Sequence, residues 1–348
     1  MKKIAYIEID NHHAEVALSF MDIMDDSNEF SVDYYFSEKI KNQVGRGNSV
    51  FVSDSSMILD QLKAEKYDLI IIGTVHRYFN TFQAITEIYN TAIIVHNLNF
   101  INTSNWNLAK NIFKQDVFYR LKLLWKEGLL NSSKIYKKAK NVLVLDEELT
   151  SGKYTFLPIF YTKNFVKPAN QVLTVVISGG VSQERRDYDH VFKIIQNLKT
   201  DEKYEFVFLG RARDQELEQL EQLSLNLPEN VNIKYFSKRV SAEDFERWMQ
   251  KADILWCPIR QEINFFSQKE MYGVSKMTGN LGDAIKYGKL AVFPANYTSK
   301  LDFIIPERED IIEQFKQLKN NNFDFQEKYN KKTVQESLEK VLNSLISI

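Results

Sequence analysis

The chain has 348 residues, with 45 basic and 46 acidic side chains and a formal net charge of −1. That balance argues against bulk nucleic-acid binding. A single cysteine, Cys257, excludes an internal disulfide, no apolar run reaches the roughly 18 residues of a membrane-crossing helix, and the start MKKIAYIEIDNHH lacks a secretory core. These bounds predict a cytoplasmic α/β protein of two domains.

Taken in chain order, short apolar runs alternate with amphipathic stretches. Ile4–Ile9 predicts a strand, Ala14–Met24 a helix, Val32–Phe36 a strand and Ser56–Ala64 a helix. Asp68–Gly73, Thr91–His96 and Val142–Leu145 predict strands, with a helix over Phe82–Tyr89. Uncharged runs of strand length separated by helices mark a parallel sheet covered on both faces. Phe156–Gln171 has Pro158, Pro168 and no period, and predicts a linker. The rhythm then restarts. Strands are expected at Leu173–Ile177, Glu205–Leu209, Asn232–Phe236, Asp253–Pro258 and Leu290–Phe293. Helices are expected at Val191–Leu198, Gln215–Leu223, Ala242–Lys251 with Ser241 as its cap, and Gly282–Tyr287 closed by Gly288, with a helical tail over Asp310–Ile348. The predicted organisation is a first domain over 1–168, a second over 169–330 and a closing helix over 331–348.

Two segments carry the functional expectation. In Tyr272–Lys289 a polar loop enters a helix. The amides of Thr278–Gly282, including Gly279 and Asn280, would face a phosphate at the helix start. Lys276 adds a full charge, and Asp283, one turn in, suits ribose hydroxyls. In Ile177–Tyr188, Gly179 and Gly180 leave room for a bulky ligand, and Arg185 and Arg186 supply planar donor forks for a pyrophosphate. The segment does not match GxGxxG, which weakens a nicotinamide reading.

These segments resemble those of the GT-B glycosyltransferases, the large retaining family that includes many polysaccharide and lipid-glycan transferases. The resemblance runs through the second half in order: the Gly179-Gly180 loop with Arg185-Arg186, then Phe206–Gly210, Val231–Phe236, Ala252–Pro258 and Asp283–Val292. It implies two Rossmann-like domains facing across a cleft, a last helix crossing back onto the first, and a nucleotide diphosphate sugar as donor substrate with no metal or other cofactor. Gly179, Gly180, Arg185, Arg186, Tyr272, Lys276, Thr278, Gly279, Asn280 and Asp283 would bind that donor. The family's paired glutamates would fall on Ser275 and Asp283, so the first is missing here. Glu262 and Glu270 have the spacing without the helix that should follow.

In the first half, Asn11, His12 and His13 follow the first strand and would face the acceptor, while His96 resembles the family's strand-end histidine beside the reacting centre. Histidine can donate a hydrogen bond or move a proton near neutral pH. His76 is a weaker candidate, His190 reads as structural and Cys257 as inert core. Asp187-Tyr188-Asp189 reads as a helix start rather than a metal motif.

Leu108–Lys140 differs from the rest, with nine basic residues against Asp116 and Glu127, interleaved with Phe113, Phe118, Tyr119 and Trp125. That composition suits one or two basic amphipathic helices on an anionic membrane, at its inner face, or a solvated basic face over an ordinary core. The expected function is glycosyl transfer from a nucleotide diphosphate sugar to a hydroxyl of a glycan or lipid-linked glycan. The alternatives are a nucleotide-sugar epimerase on the same fold and a non-catalytic partner subunit.

Overall fold

A computed structural model describes every residue except 46, 48, 164–170, 322 and 348. Within these residues the chain divides into two compact units. The first comprises 1–160, 264–277 and 331–348, the second 161–263 and 278–330. This corrects the expected division at 168/169 in two ways. The first unit closes by Phe160, and it takes back the segment 264–277 from the second half. Part of the expected linker, 164–170, lies outside the described residues.

The first unit holds a seven-stranded sheet: β1 (Lys2–Glu8), β2 (Phe30–Phe36), β3 (Val50–Val52), β4 (Leu69–Ile72), β5 (Thr91–Ile94), β6 (Asn141–Val144) and β7 (Thr155–Phe156). The order is β3-β2-β1-β4-β5-β6-β7, with parallel pairing throughout. β1 runs in register with both neighbours, Ile4 opposite Val32 on one side and Leu69 on the other. All four residues of β4, Leu-Ile-Ile-Ile, are buried, as expected of a central strand covered on both faces. The helix Ala14–Met24 covers one face with Val16, Ala17, Phe20, Met21, Ile23 and Met24. The first unit's closing helix, Lys331–Ile346, buries Val334, Leu338, Leu342 and Leu345, a spacing that keeps them on one stripe. Ser27 Oγ donates to Glu339 at 2.6 Å and Asn90 Nδ2 to the Leu345 carbonyl at 3.0 Å, fastening this helix to the unit's first strands and helices.

The second unit holds a six-stranded sheet: β8 (Leu173–Ser178), β9 (Tyr204–Arg211), β10 (Val231–Phe236), β11 (Ile254–Trp256), and, after the short pair β12 (Glu262–Phe265) and β13 (Gln268–Met271), β14 (Ala291–Phe293) and β15 (Ile304–Pro306). Its order is β10-β9-β8-β11-β14-β15. The helix Ala242–Lys251 forms as predicted, its first turn closed by Ser241, whose side chain accepts from the Asp244 amide. Gly288 ends the helix Gly279–Tyr287 in a left-handed conformation, φ 59°. Trp256, Phe206 and Phe208 fill the core around the sheet.

The elements not anticipated include the helices Glu38–Val44 and Leu98–Ile101, β3, β7, the pair β12–β13 and β15. The expected continuous tail is three helices, 311–319, 325–329 and 331–346. In each sheet the strand order reverses at the first strand, between β1 and β4 and between β8 and β11. Loops leaving the carboxyl ends of strands at such switch points are where open α/β sheets take ligands.

Candidate functional site

At the switch point of the first unit, the loops after β1, β4 and β5 bring together His13, His76 and His96. His13 is the residue before the helix Ala14–Met24, and its backbone is left-handed, φ 68°, which is uncommon for a residue with a side chain. Its ring stacks on His96 with centroids 3.9 Å apart, and His76 lies 6.1 Å from His96 and 6.3 Å from His13. Of the three residues expected on the acceptor side, His13 is in the cluster, exposed His12 lies at its edge with its ring 6.4 Å from that of His13, and Asn11 is exposed.

Hydrogen bonds assign the ring protons. His96 Nε2 lies 3.2 Å from the Gly73 carbonyl. A carbonyl only accepts, so Nε2 carries the hydrogen and Nδ1 keeps its lone pair. Lys276 Nζ donates to Asn97 Oδ1 at 2.7 Å and to the His96 carbonyl at 3.4 Å. That orients the Asn97 amide, whose Nδ2 donates to His76 Nε2 at 3.2 Å. Burial, reinforced by His13 and Lys276, holds both His76 and His96 well below the usual histidine range. Both rings are therefore neutral at neutral pH. Beneath them Glu8 is buried, accepting from Thr74 Oγ1 at 2.8 Å, and burial pushes its carboxyl well above the usual carboxylate range.

Lys276 reaches this cluster because the segment 264–277 is fastened to the first unit by Glu270. Its fully buried carboxylate accepts from the amides of Asn99 at 3.2 Å and Phe100 at 2.8 Å, and from Ser275 Oγ at 2.6 Å. Lys276 and Tyr272, both assigned from the sequence to the donor loop of the second domain, are thus corrected. They belong to the first unit, and Tyr272 bridges to Lys276 there. A glutamate on a strand gives no sequence signal that it will satisfy the amide donors of a helix start 170 positions earlier.

The second unit builds its own cluster at the end of β8. Ser178 Oγ donates to Asp283 at 2.8 Å and accepts from Asn280 Nδ2 at 2.8 Å. Thr278 caps the helix Gly279–Tyr287, its hydroxyl accepting from the Asn280 amide at 3.3 Å. Arg186 Nη2 donates to the Ser178 carbonyl at 2.8 Å and Nη1 to the Gly180 carbonyl at 3.2 Å. The expectation that both arginines present free forks is corrected here. Arg186 is turned inward as a brace for the Gly179 loop, sharing the Ser178 carbonyl with Asn280 Nδ2. Arg185 is exposed, and its side chain has no partner among the described residues. Gly179 is left-handed, φ 103°, and a Cβ there would lie 2.2 Å from Arg186 Nη2. Around Gly180 and Gly279 there is open space for a Cβ.

The sequence reading missed a polar pocket of about 730 Å³ at the ends of β11, β14 and β15. Asp187, His190, Arg260, Asn296, Glu307 and Arg308 help line it, and none of the residues assigned to the donor does. His190 Nε2 pairs with Glu307 at 2.5 Å, and Trp256 Nε1 donates to the same carboxylate at 3.1 Å. The available signal was the strand-ending prolines Pro258 and Pro294, which both line the pocket. Cys257 is buried, and burial raises its thiol pKa, consistent with inert core. Among the described residues no cluster of three or more His, Cys, Asp or Glu side chains is arranged to hold a metal.

The paired doubly wound units, seven and six strands, match solved GT-B glycosyltransferases over essentially the whole chain. The chain has the GT-B fold. Anabaena HepE, solved with UDP and glucose, aligns with a TM-score of 0.60 at 13% identity, covering 99% of this chain and 100% of that one. The lipopolysaccharide outer core galactosyltransferase WaaB in its apo form gives 0.57 at 10% identity, covering 98% and 99%. A UDP-GlcNAc 2-epimerase from Methanocaldococcus jannaschii gives 0.54 at 9% identity, covering 99% and 100%. No protein-family profile and no curated sequence matches the chain.

Proposed function

We propose that this GT-B protein transfers a glycosyl group from a nucleotide diphosphate sugar to a hydroxyl of a glycan or lipid-linked glycan, without a metal. The observation that carries the reading is the anion-receiving end of the second unit. The Gly179-Gly180 turn braced by Arg186 and the capped helix start, joined to Ser178 through Asn280 and Asp283, meet at the end of β8, and Arg185 is exposed in the loop that follows, its side chain without a partner among the described residues. Glycines let a diphosphate approach the backbone, helix-start amides donate to it, and Arg185 supplies a full charge. Charge on the departing diphosphate is then stabilised by preorganised donors. The first unit contributes neutral His96, whose imidazole can hydrogen-bond a sugar hydroxyl or carry a proton.

The likeness of the fold to a UDP-GlcNAc 2-epimerase supports a second reading, epimerisation of the nucleotide sugar. A third is a non-catalytic subunit, which the serine at position 275 favours.

Thermal shift against UDP, GDP, ADP, TDP and CMP tests the reading. A nucleotide at 100 times its Kd adds about 2.7 kcal/mol, readily seen as a rise in Tm. Selective stabilisation that is lost in Arg185→Ala supports a donor site. Incubating the matching nucleotide sugar in D2O then separates the enzymes. Deuterium entering the sugar ring marks epimerisation, whereas transfer or slow hydrolysis leaves the ring protons in place. No shift with any nucleotide supports the non-catalytic subunit.

A further inference from the structure

We propose that the helical segment 105–127 of the first unit docks on the surface of an anionic lipid bilayer. Six aromatic side chains are exposed among the described residues, and five of them lie here: Trp106 at 78%, Phe113 at 71%, Phe118 at 92%, Tyr119 at 47% and Trp125 at 76%. The sixth is Phe51.

These residues do not point outward for want of packing. The same segment buries Leu108, Ile112 and Leu123 to 1% exposure or less, so its inner side is anchored in the unit's core. Arg120 is drawn inward too, lying over the Phe266 ring at 4.5 Å and donating to Ser267 Oγ at 2.8 Å. The outward aromatics are left for an external partner.

Charge identifies that partner. Lys110, Lys114, Lys122 and Lys126 are exposed among the aromatics, and the exposed acid there is Asp116. Glu127 is withdrawn into a buried pair with Arg77 at 2.8 Å. Lysines recur at helical spacing between the rings, as Trp106–Lys110–Phe113 and Phe118–Lys122–Trp125. Aromatic rings at headgroup depth flanked by lysines are what an anionic interface selects. A protein partner's interface core is instead depleted of lysine. The positive field continues into a pocket of about 630 Å³, lined by Asn105 beside Trp106 and by Lys137, Lys140 and Lys153. No described helix is long and apolar enough to cross a membrane, so the contact is interfacial and reversible.

This inference stands apart from the transfer reading, since a chain that bound no nucleotide would still bind vesicles. The test is flotation of the full chain with phosphatidylcholine vesicles with and without 30 mol% phosphatidylglycerol, at low and high salt. Three variants are compared: Phe118→Ser with Trp125→Ser, the four lysines 110, 114, 122 and 126→Gln, and Phe51→Ser as a control. Tm checks folding, and light scattering after gel filtration reads oligomeric state. Binding to the anionic vesicles is expected to be salt-sensitive. It should weaken at least tenfold in each patch variant, each lysine near the surface being worth about fivefold, and be unchanged in Phe51→Ser. The proposal is overturned if the wild type binds anionic and neutral vesicles equally or not at all. It is overturned equally if the serine variant converts an oligomer to monomer while lipid binding stays the same, which would make the patch a contact between copies.

Discussion

His13 lies flat on His96, ring centroids 3.9 Å apart and planes within 4°. A proton on His96 is opposed by burial first, then by His13, His76 and Lys276, so the fold keeps His96 neutral. The unfolded chain takes up this proton near pH 6.5 while the folded chain resists it. The stability from His96 is therefore complete above about pH 6.5 and is lost as the pH falls below it. The loss can reach about 1.4 kcal/mol per pH unit for each such histidine. His96→Gln should show a smaller fall in Tm between pH 7.5 and 5.5 than the wild type. Circular dichroism melts at both pH values check this, and equal falls in the two proteins would refute it.

Glu8 acts in the opposite sense. Its folded carboxyl is raised well above the usual range by burial, and Oε1 has no hydrogen-bond partner. The resulting penalty grows as the pH rises above the unfolded value and is absent where the unfolded chain is also protonated. Glu8→Gln should therefore stabilise by about 1–3 kcal/mol at pH 8 and by much less at pH 5. Denaturant titrations at the two pH values measure the difference, and a loss of stability at pH 8 would contradict the protonated carboxyl.

Glu270 holds the segment 264–277 by accepting from the Asn99 and Phe100 amides, and it accepts a third bond from Ser275 Oγ within the segment. Glu270→Ala leaves two buried amide donors unpaired and should cost about 3 kcal/mol. Trypsin cleavage after Lys269 and Lys276 should accelerate in this variant before global unfolding. Ser275→Ala removes the bond its hydroxyl donates to Glu270 and the two it accepts from the Met271 amide and Asn99 Nδ2, and should cost about 1–3 kcal/mol. If both variants resist trypsin like the wild type, Glu270 is not what fastens the segment.

The glycines of the second unit divide by what surrounds them. A Cβ on Gly210 would lie 2.0 Å from the Gly179 carbonyl oxygen, a backbone atom, so Gly210→Ala should destabilise by about 2–4 kcal/mol. Gly180→Ala and Gly279→Ala meet open space and should leave stability within about 0.5 kcal/mol of wild type. On the transfer reading both nonetheless weaken the nucleotide-induced shift, because the added methyl occupies the diphosphate's approach. Wild-type shifts in both would remove the diphosphate from this loop.

Much of the fold was legible because it rests on local patterns. Uncharged runs of strand length such as Leu69–Ile72, rich in β-branched residues and bounded by Asp68 and Gly73, fit central strands, and Ser241 and Gly288 mark helix ends by their own chemistry. β3 and β15 were missed because, unlike the equally short but fully buried β11 and β14, they leave residues exposed. The site was legible as loops but not as contacts. Asp283 and Asn280 do gather on the end of β8, and His13 and His96 do meet. The inward turn of Arg186 was hidden because two adjacent arginines look alike in sequence. What separates them is which one faces the carbonyls of Ser178 and Gly180. Lys276 was misassigned for a related reason. Its neighbours from Thr278 onward belong to the second unit, while Glu270 holds the lysine's own segment in the first unit, where Lys276 meets Asn97 and His96.

The closing helix Lys331–Ile346 has a bearing on biosynthesis. The strands of the first unit emerge from the ribosome early, yet the helix that buries Val334, Leu338, Leu342 and Leu345 against that unit emerges last. At ordinary elongation rates the wait is roughly 10–30 s. During that time apolar surface destined for those four side chains stands uncovered on a nascent chain that cannot finish folding. A fragment ending near Phe160 would carry the same exposed surface permanently. Chaperone dependence and insolubility of such fragments are therefore written into the order of the chain.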